Sequence, residues 1–403
     1  MKVAVIGGGA AGFFAAISCA QANPSAQITI YEKTSKLLAK VKVSGGGRCN
    51  VTHACFNNSK LSKFYPRGER FLKKAFAQFN TTDTVEWFES RGAKLKTEAD
   101  NRMFPVTNDS QTIIDCLMKE ASNLGISIKQ RTAITALKKE VSTFKLILED
   151  SAHSVDKVVI ASGGSPKPQA YDWLSELGHE ITSPVPSLFT FNMPNEPIKE
   201  LMGVALPLAQ VKIQGDKLES NGPALITHWG MSGPAILKLS SWRARLLNDK
   251  KYNFQVQVNW LGGVKENALR DQLVELRESL NARNVSNRNP FGVPLRLWEF
   301  LLNKIDVAQD KKWRDLNKKE VNRLINTLLN DVYEVKGKTT FKEEFVTCGG
   351  VSLNDINVQT MESNLCKGMF FAGEVLDIDG ITGGFNFQAA WTTGFIAGRS
   401  AAN

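Results

Sequence analysis

Three glycines near the start of the chain have the spacing that lets a backbone turn lie against a phosphate. Gly7, Gly9 and Gly12 follow the apolar run VAVI and lead into the helix-like segment AAGFFAAISCAQ. A second apolar run, ITIY, then ends at Glu32. A strand, a glycine turn, a helix, a second strand and an acid in this order are typical of a Rossmann-type dinucleotide site. A glycine-rich turn in an ordinary α/β protein is the less favoured interpretation, because strand, helix and acid all stand in the required order.

Each residue of this pattern has its own physical task. Gly7 permits the tight turn, Gly9 lets the backbone approach a pyrophosphate because it has no Cβ, and Gly12 allows helix and strand to pack closely. The helix N-terminus supplies free N–H groups and a partial positive charge for the phosphates. Glu32 can accept hydrogen bonds from ribose hydroxyls and would repel a 2′-phosphate, so the pattern favours FAD or NAD over NADP.

The C-terminal segment favours FAD over NAD. The letters GMFFAGEVLDIDGITGGFNFQAAW, residues 368–391, predict an apolar strand, a Gly/Asp loop and a helix of small residues. A late strand and helix of this form can close a flavin site. Glu374 can hydrogen-bond the ribityl chain. The helix that Gly384 opens can aim free N–H groups at the pyrimidine edge of the flavin, where negative charge develops on reduction.

The rest of the chain predicts the elements that would hold these residues. Helical periodicity marks residues 68–92 and 109–124, and strand-like runs with a β-meander pattern follow up to the turn ASGGSPKP. A cluster of prolines then indicates a domain boundary near residue 187. Residues 188–261 mix short strands with turns. Residues 262–340 are charged and have leucines at helical spacing, which predicts helices before the chain returns to strands.

The length and the net charge of the chain limit the number of domains and the kinds of binding partner. The chain has 403 residues, enough for two or three domains, and its 50 Lys and Arg against 40 Asp and Glu give a net charge of +10. Such a charge suits nucleic acid, a membrane surface or an anionic substrate. No compact block of Lys and Arg with interleaved aromatics stands out. A solvated basic surface is therefore favoured, and nucleic acid is the less favoured partner.

The cysteines and the apolar runs exclude several further classes. The six cysteines form no CxxC pair, which argues against a disulfide-reductase dithiol and against a zinc ribbon. No set of His, Asp and Glu has metal-ligand spacing, so no metal is predicted. No run of 18 apolar residues occurs, and the chain starts with a strand rather than a cleavable signal. We therefore expect a cytoplasmic protein with free thiols and no membrane association.

Six segments spread along the whole chain carry a resemblance to a known family. They are IGGGAAG, SGGGRCN, THWGMSGPAIL, GGV, TMES and the C-terminal GMFFAGEVLDIDGITGGFNFQAAW. In these motifs and in their order the chain resembles the bacterial family of predicted FAD/NAD(P)-dependent oxidoreductases that includes aminoacetone-oxidase-like and bile-acid-pathway flavoproteins. One departure is that many members carry a TGDG segment after the ATGG-like turn, whereas here ASGGSPKP leads directly to QAYD.

The resemblance implies an α/β fold with a Rossmann-type FAD-binding domain built from both chain ends, residues 1–187 and 341–403. It further implies an inserted β-barrel-like domain at residues 188–261. Residues 262–340 would form a small helical domain and the return of the chain to the FAD domain. For the adenosine diphosphate half of FAD, the resemblance assigns the pyrophosphate to Gly7, Gly9, Ala10, Ala11 and Gly12, the ribose to Glu32 and Lys33, and the adenine to the backbone of Ile134. Near the flavin it places a loop made of Ser44, Gly45, Gly46, Gly47, Arg48, Cys49 and Asn50, and it adds the turn Ala161, Ser162 and Gly163. Along the ribityl and isoalloxazine part it places Gly373, Glu374, Gly384, Phe385 and Asn386.

Two residues are candidates for catalysis. Cys49 follows a triple glycine and Arg48, whose charge can lower the pKa of a neighbouring thiol, although a packed thiol beside the cofactor is the favoured interpretation. His228 lies in the THWGMSGPAIL motif and can serve as a proton donor, although a structural histidine is favoured.

These observations predict an FAD-dependent oxidoreductase that moves hydride between flavin N5 and a small organic substrate or NAD(P)H. Its subtype stays open between an NAD(P)H reductase and an amine-oxidase-like enzyme. No second GxGxxG occurs, so NAD(P)H is expected only as a transient electron donor. Two alternatives stay open: a flavin-dependent RNA-modifying enzyme and an FAD-binding protein without turnover.

Overall fold

A computed structural model describes residues 1–287, 289–339 and 346–403. Contacts between residues divide the chain into two compact units. Unit 1 comprises Met1–Ser187 and Phe341–Asn403, and unit 2 comprises Leu188–Thr340.

The strands are numbered here in chain order. They are β1 (Lys2–Ile6), β2 (Gln27–Tyr31), β3 (Thr52–His53), β4 (Leu95–Thr97), β5 (Arg102–Pro105), β6 (Ser127–Lys129), β7 (Ala136–Lys139), β8 (Phe144–Ile147), β9 (Ala152–Val155), β10 (Lys157–Ile160), β11 (Ile181–Ser187), β12 (Thr190–Asn192), β13 (Ala205–Ile213), β14 (Glu219–Ile226), β15 (Gly230–Ser232), β16 (Asn253–Asn259), β17 (Asp331–Lys336), β18 (Lys338–Thr339), β19 (Val346–Val351) and β20 (Met369–Phe371).

The α-helices are numbered in the same way. They are α1 (Ala10–Ala22), α2 (Ala39–Gly47), α3 (Asn58–Leu61), α4 (Glu69–Ala75), α5 (Thr81–Glu89), α6 (Gln111–Asn123), α7 (Asp172–Ser175), α8 (Pro234–Trp242), α9 (Ala244–Asp249), α10 (Glu266–Ser279), α11 (Leu295–Lys304), α12 (Lys318–Leu329) and α13 (Phe385–Ala401).

A parallel five-stranded sheet forms the centre of unit 1. Its strand order is β20-β10-β1-β2-β6, and β1 pairs with β2 on one side and with β10 on the other. The β1 residues Val3–Ile6 are buried, as is expected when helices or loops cover both faces of a parallel sheet. Because β20 comes from the C-terminal part of the chain, both chain ends build this sheet. The predicted α/β fold with a Rossmann-type domain is confirmed.

Helices α1 and α13 pack closely against each other in unit 1. A Cβ on Gly394 would lie 2.7 Å from the carbonyl oxygen of Ala11, and a Cβ on Gly398 would lie 2.1 Å from that of Ala15. Only glycine lets the two backbones approach this closely. Residues Ala11–Ala20 of α1 are all buried, so α1 is an internal helix rather than an amphipathic surface helix.

The predicted helix over residues 68–92 is two helices in the structure, α4 and α5. The break follows from capping, because the side chain of Asn80 accepts from the N–H of Thr82 and Asp83 accepts from the N–H of Asn80. Such a capping box starts a new helix. The predicted helix at residues 109–124 corresponds to α6, which ends just before Gly125 at φ +67°.

Unit 2 contains a seven-stranded sheet in the order β17-β16-β13-β14-β15-β12-β18, and all of its recorded pairs are antiparallel. Its core joins sheet residues such as Val258 with residues of α10, α11 and α12 such as Leu269, Leu301 and Leu324. Helices and sheet of unit 2 thus share one apolar core. The finer division at residue 261 stays a prediction.

Within the part of the chain that the structure describes, no helix combines the length and the apolar character needed to cross a bilayer.

Candidate functional site

The glycine turn after β1 leaves open space in front of α1. Gly7 has φ +116°, and a Cβ there would lie 2.2 Å from the carbonyl oxygen of Ala161. A Cβ on Gly12 would lie 1.9 Å from the carbonyl oxygen of Gly7. At Gly9, by contrast, no described atom lies within 4 Å of a built Cβ. Two of the glycines are therefore required by the protein itself, whereas Gly9 borders a space that a ligand can occupy.

The N-terminus of α1 is free to bind an anion. Gly9 is its N-cap, no side chain caps it, and its first turn has no acidic residue. The N–H groups of Ala10, Ala11 and Gly12 have no acceptor one turn earlier in the helix. Together with the helix dipole they form the kind of site that takes the pyrophosphate of a dinucleotide.

Glu32 lies at the end of β2 and is held in place by hydrogen bonds. Its carboxylate accepts from the N–H of Gly8 at 2.9 Å and from the N–H and hydroxyl of Thr34, each at 2.8 Å. A carboxylate offers about four acceptor positions, so one is left for a ribose hydroxyl. Ile134 comes two residues after Thr132, whose N–H donates to the carbonyl of Glu32 at 2.9 Å. The Ile134 segment is thus beside Glu32, and the neighbouring Lys33 is exposed.

The SGGGRCN loop follows the helical part of α2 and has an unusual backbone. Gly45, Gly46, Gly47 and Cys49 all have positive φ, between 58° and 84°. No described atom lies within 4 Å of a built Cβ at Gly46 or Gly47. The loop is closed by the N–H of Cys49, which donates to the carbonyl of Ser44 at 3.0 Å. Bare backbone beside open space suits close contact with a planar ligand.

The charged group of Arg48 contacts an acid and an aromatic ring. Its guanidinium forms an ion pair with Glu98 at 2.6 Å and lies 4.0 Å from the ring centroid of Phe104. Cys49 is fully buried, and this burial raises the pKa of its thiol to about 12. The suggestion that Arg48 lowers the pKa of Cys49 is therefore wrong, because loss of solvation dominates.

Glu374 follows β20 and connects the C-terminal segment to two other parts of unit 1. Its carboxylate forms an ion pair with Lys40 of α2 at 2.6 Å and accepts from the N–H of Thr347 at 2.8 Å. The preceding Gly373 donates its N–H to the hydroxyl of Thr393 at 2.8 Å. Lys40 was not among the predicted site residues, because 334 positions separate it from Glu374.

The N-terminus of α13 has the same uncapped form as that of α1. Gly384 is its N-cap at φ +91°, with no side-chain cap and no acid in the first turn. In the amide orientation that satisfies its neighbours, Asn50 accepts from the N–H of Gly384 and donates to the carbonyl of Thr52, each at 3.0 Å. The SGGGRCN loop and α13 are thereby joined.

The side chains of Phe385 and Asn386 have structural partners. Phe385 is buried and its ring lies 4.5 Å from those of His53 and Phe64, and Asn386 bonds the N–H and carbonyl of Gly380 at 2.8 and 3.0 Å. Contacts of these two residues with a flavin would therefore come from their backbone N–H groups.

The predicted residues after β1, β2, β10 and β20 meet at one edge of the parallel sheet. Ala161 follows β10 and donates its N–H to the carbonyl of Ile6 at 2.9 Å, and Ser162 and Gly163 continue that turn. This edge is formed by the carboxyl ends of the strands, where open α/β sheets bind their ligands. The free helix end of α1, the open glycine backbone and the anchored acid fit a dinucleotide.

Comparison with known proteins identifies the family. Residues 1–400 match the model of the HI0933-like protein Rossmann domain. The chain belongs to the HI0933-like family of FAD-binding Rossmann proteins. The predicted resemblance is thus confirmed.

Two relatives align with this HI0933-like chain over nearly its full length. The 3-dehydro-bile acid delta(4,6)-reductase of Clostridium scindens is 26% identical over 418 positions, which cover 100% of this chain and 99% of the relative. The ribosomal RNA dihydrouridine synthase of Escherichia coli is 29% identical over 411 positions, which cover 98% and 96%.

Solved structures share the fold. The 3-ketosteroid delta1-dehydrogenase of Sterolibacterium denitrificans, determined with 1,4-androstadiene-3,17-dione, has a TM-score of 0.53 and 11% identity, and the match covers 99% of each chain.

His228 belongs to unit 2 of the HI0933-like chain. It lies in the exposed turn between β14 and β15, and its ring lies 4.3 Å from that of Trp229. Its proton-donor role stays a prediction. Among the described residues, no group of His, Cys, Asp and Glu could hold a metal ion.

Proposed function

We propose that this protein is an FAD-dependent oxidoreductase that moves hydride between flavin N5 and an organic substrate. The observation that carries the proposal is the free, uncapped N-terminus of α1 beside the open space at Gly9, in a chain of the HI0933-like family. FAD, when bound, supplies the hydride chemistry at N5.

The residues of unit 1 have separate tasks in this proposal. The first-turn N–H groups of α1 hold the pyrophosphate, and Glu32 holds the adenosine ribose with its remaining acceptor position. The first-turn N–H groups of α13 stabilise negative charge at the pyrimidine edge of the flavin. Gly46 and Gly47 present bare backbone to the ring system. Lys40 and Asn50 are positioning residues, because they fix Glu374 and Gly384.

We further infer the class of bond that is reduced. The names of the two relatives describe saturation of ring double bonds, in a 3-dehydro bile acid and in the uracil ring of uridine. Both are carbon–carbon double bonds conjugated with a carbonyl group. At an isolated enone or at the uracil ring, hydride goes to the carbon β to the carbonyl and a proton from solvent goes to the α carbon. At the 6,7 bond of a 3-oxo-4,6-diene, hydride goes to the δ carbon instead. NAD(P)H is the proposed transient donor that supplies the two electrons.

An anaerobic absorbance titration tests the oxidoreductase proposal. The purified holoprotein is titrated with NADH and then with NADPH, and we expect bleaching of the oxidised flavin band. Addition of a 3-oxo-4,6-diene steroid to the reduced protein should restore the band as the double bond is saturated.

The outcomes of this titration separate the alternatives. A protein that stays yellow with both nicotinamides is either a substrate oxidase or an FAD-binding protein without turnover, and reduction by a panel of amines separates the two. A protein that cannot be reconstituted with FAD contradicts the central proposal. The third outcome is a reduced protein whose flavin band is not restored by the steroid but which forms dihydrouridine in an rRNA transcript, as detected by mass spectrometry. This outcome supports the RNA-modifying alternative. That alternative is favoured by the rRNA dihydrouridine synthase relatives from Escherichia coli and Haemophilus influenzae.

A further inference from the structure

His179 of unit 1 is a buried histidine with a hydrogen-bond partner at each ring nitrogen. It stands between α7 and β11, and only 3% of it is exposed. Its Nδ1 lies 3.2 Å from the carbonyl oxygen of Leu174, and its Nε2 lies 2.8 Å from the hydroxyl oxygen of Ser363. The ring thus joins two segments of unit 1 that are far apart in the chain. We call His179, Leu174 and Ser363 the His179 network.

The two partners determine which ring nitrogen carries the proton. The carbonyl of Leu174 can only accept, so Nδ1 must carry a proton and donate it. The hydroxyl of Ser363 already accepts from the N–H groups of Leu365 at 3.0 Å and Cys366 at 2.9 Å, which occupy its two lone pairs. Ser363 therefore donates its own proton to Nε2. His179 fits its site only as the neutral ring with the proton on Nδ1.

A second proton on the His179 ring would break this network. An N–H at Nε2 would face a hydroxyl that has no lone pair left, so the Ser363 oxygen would have to release one of its N–H partners. The hydroxyl proton of Ser363 would lose its acceptor at the same time. Burial also disfavours the charged ring and lowers the pKa of His179 from its ordinary value of 6.5.

The groups that surround the ring do not compensate for this burial. Asp355, in the turn that follows β19, favours the charged ring, but its effect is smaller than that of burial, and its carboxylate already accepts from the N–H of Glu180 at 2.7 Å. The side chain of Glu180 is exposed. The thiol of Cys366 is neutral, because burial raises its pKa. β20 presents the Phe371 ring, whose centroid lies 5.0 Å from that of His179.

One side of the His179 network leads to the glycine turn after β10. Leu174 belongs to α7, and the residue before α7 is Tyr171. The hydroxyl of Tyr171 accepts from the N–H of Ser165 at 3.0 Å. Ser165 lies two residues after Gly163, so this bond holds the end of a turn that is assigned to FAD.

The other side of the network leads to Glu374. Ser363 donates its N–H at 2.8 Å to the carbonyl of Met369, the first residue of β20. Phe371, which packs against the His179 ring, ends β20, and Glu374 follows shortly after it. Disruption of the network would therefore loosen both the turn after β10 and the segment of Glu374.

We propose that the His179 network is a pH-sensitive switch of the FAD site. The neutral ring holds the two FAD-lining segments in place, and protonation of the ring loosens them and weakens FAD binding. The proposal rests on the proposed FAD site of unit 1. Below about pH 6.5 the loosened state takes up a proton that the closed state excludes, so the stabilisation is complete above this pH and is lost as pH falls.

The pH dependence of FAD binding tests the switch. Full-length holoprotein is diluted at pH values from 8 to 5, and the fluorescence of released FAD gives the Kd. A loosened state with the ordinary histidine pKa of about 6.5 predicts that the wild-type Kd rises by up to about thirtyfold over this range. In His179→Gln the side chain does not titrate, so the Kd should be higher at pH 8 and should change much less with pH.

His153→Gln is the matched control. It removes a partly exposed histidine of β9 in the same unit, and it should keep the wild-type pH profile. An equal rise of Kd in wild type and His179→Gln would overturn the switch, as would a wild-type Kd that does not change with pH. A wild type that holds no FAD at pH 8 would contradict the proposed FAD site, and the switch with it.

A direct measurement of the proton position needs no change at His179. Nitrogen NMR of histidine-labelled wild-type protein at pH 8, with signals assigned through single glutamine variants of His53, His153 and His228, shows which nitrogen of the remaining histidine is protonated. We expect a protonated Nδ1 and an unprotonated Nε2. A proton on Nε2 at pH 8 would overturn the proposal.

Discussion

Gly9 is the residue at which ligand binding and folding can be separated. A Cβ at this position would point into open space, and the φ of −93° is accessible to every residue. We expect Gly9→Glu to keep the stability of the apoprotein within about 0.5 kcal/mol, as is usual for substitutions that touch nothing. The glutamate should nevertheless abolish FAD binding, because it fills the pyrophosphate space with negative charge. The ratio of absorbance at 450 and 280 nm measures flavin content.

Gly12→Ala is the contrasting variant. Its Cβ would collide with the carbonyl of Gly7, so it should lose stability as well as flavin. Full FAD occupancy in Gly9→Glu would disprove the assignment of the pyrophosphate to α1.

Cys49 should be an unreactive thiol. Because burial raises its pKa to about 12, it stays protonated at pH 8, and iodoacetamide should modify the half-buried Cys55 but not Cys49. Cys49→Ser should retain flavin reduction.

The raised pKa of Cys49 also sets a pH dependence. The unfolded thiol ionises near pH 9 and the folded thiol near 12, so the wild type should lose stability between these values as pH rises. The loss should be smaller in Cys49→Ser. Alkylation of Cys49 in the folded protein, seen by peptide mass spectrometry, would contradict its burial.

At the scale of elements, the contact of α1 with α13 depends on glycine. Gly398→Ala would gain about 1 kcal/mol of helix propensity, but its Cβ would lie 2.1 Å from the carbonyl of Ala15. We expect a net loss of about 1–3 kcal/mol in the free energy of unfolding, since overpacking forces the helices apart. Gly9→Ala, with open space at its Cβ, is the control and should cost only about 0.5 kcal/mol, because alanine is the poorer N-cap. Chemical denaturation of both variants measures the difference, and equal stabilities would show that the helices can separate freely.

The sequence predicts local elements well and long-range pairs poorly. The fingerprint from β1 to Glu32 could be predicted because one short segment contains the strand, the turn and the helix start. The ion pairs Lys40–Glu374 and Arg67–Asp379 could not, because each joins residues more than 300 positions apart and no local pattern records the partner. The raised pKa of the Cys49 thiol could not be predicted for a related reason, since the extent of burial is a property of the folded chain.

At the scale of the whole molecule, the two compact units predict two responses to the cofactor. Ligand at a hundredfold excess over Kd stabilises the state that binds it by about 2.7 kcal/mol. Since every proposed FAD contact lies in unit 1, we expect FAD to raise the unfolding transition of unit 1 and to leave that of unit 2 unchanged. Calorimetry with hydrogen exchange can assign each transition to its unit. A single transition that moves as a whole would mean that the units unfold together.

The packing of α1 against α13 also determines when a newly made chain can finish folding. Ten consecutive residues of α1 are buried, yet more than 360 residues separate the end of α1 from the start of α13. At about 5–20 residues per second, a ribosome needs roughly 20–70 s to make that stretch. Throughout this interval the apolar surface of α1 lacks its partner. Nascent chains should therefore depend on chaperones, and FAD should enter only after α13 has been made.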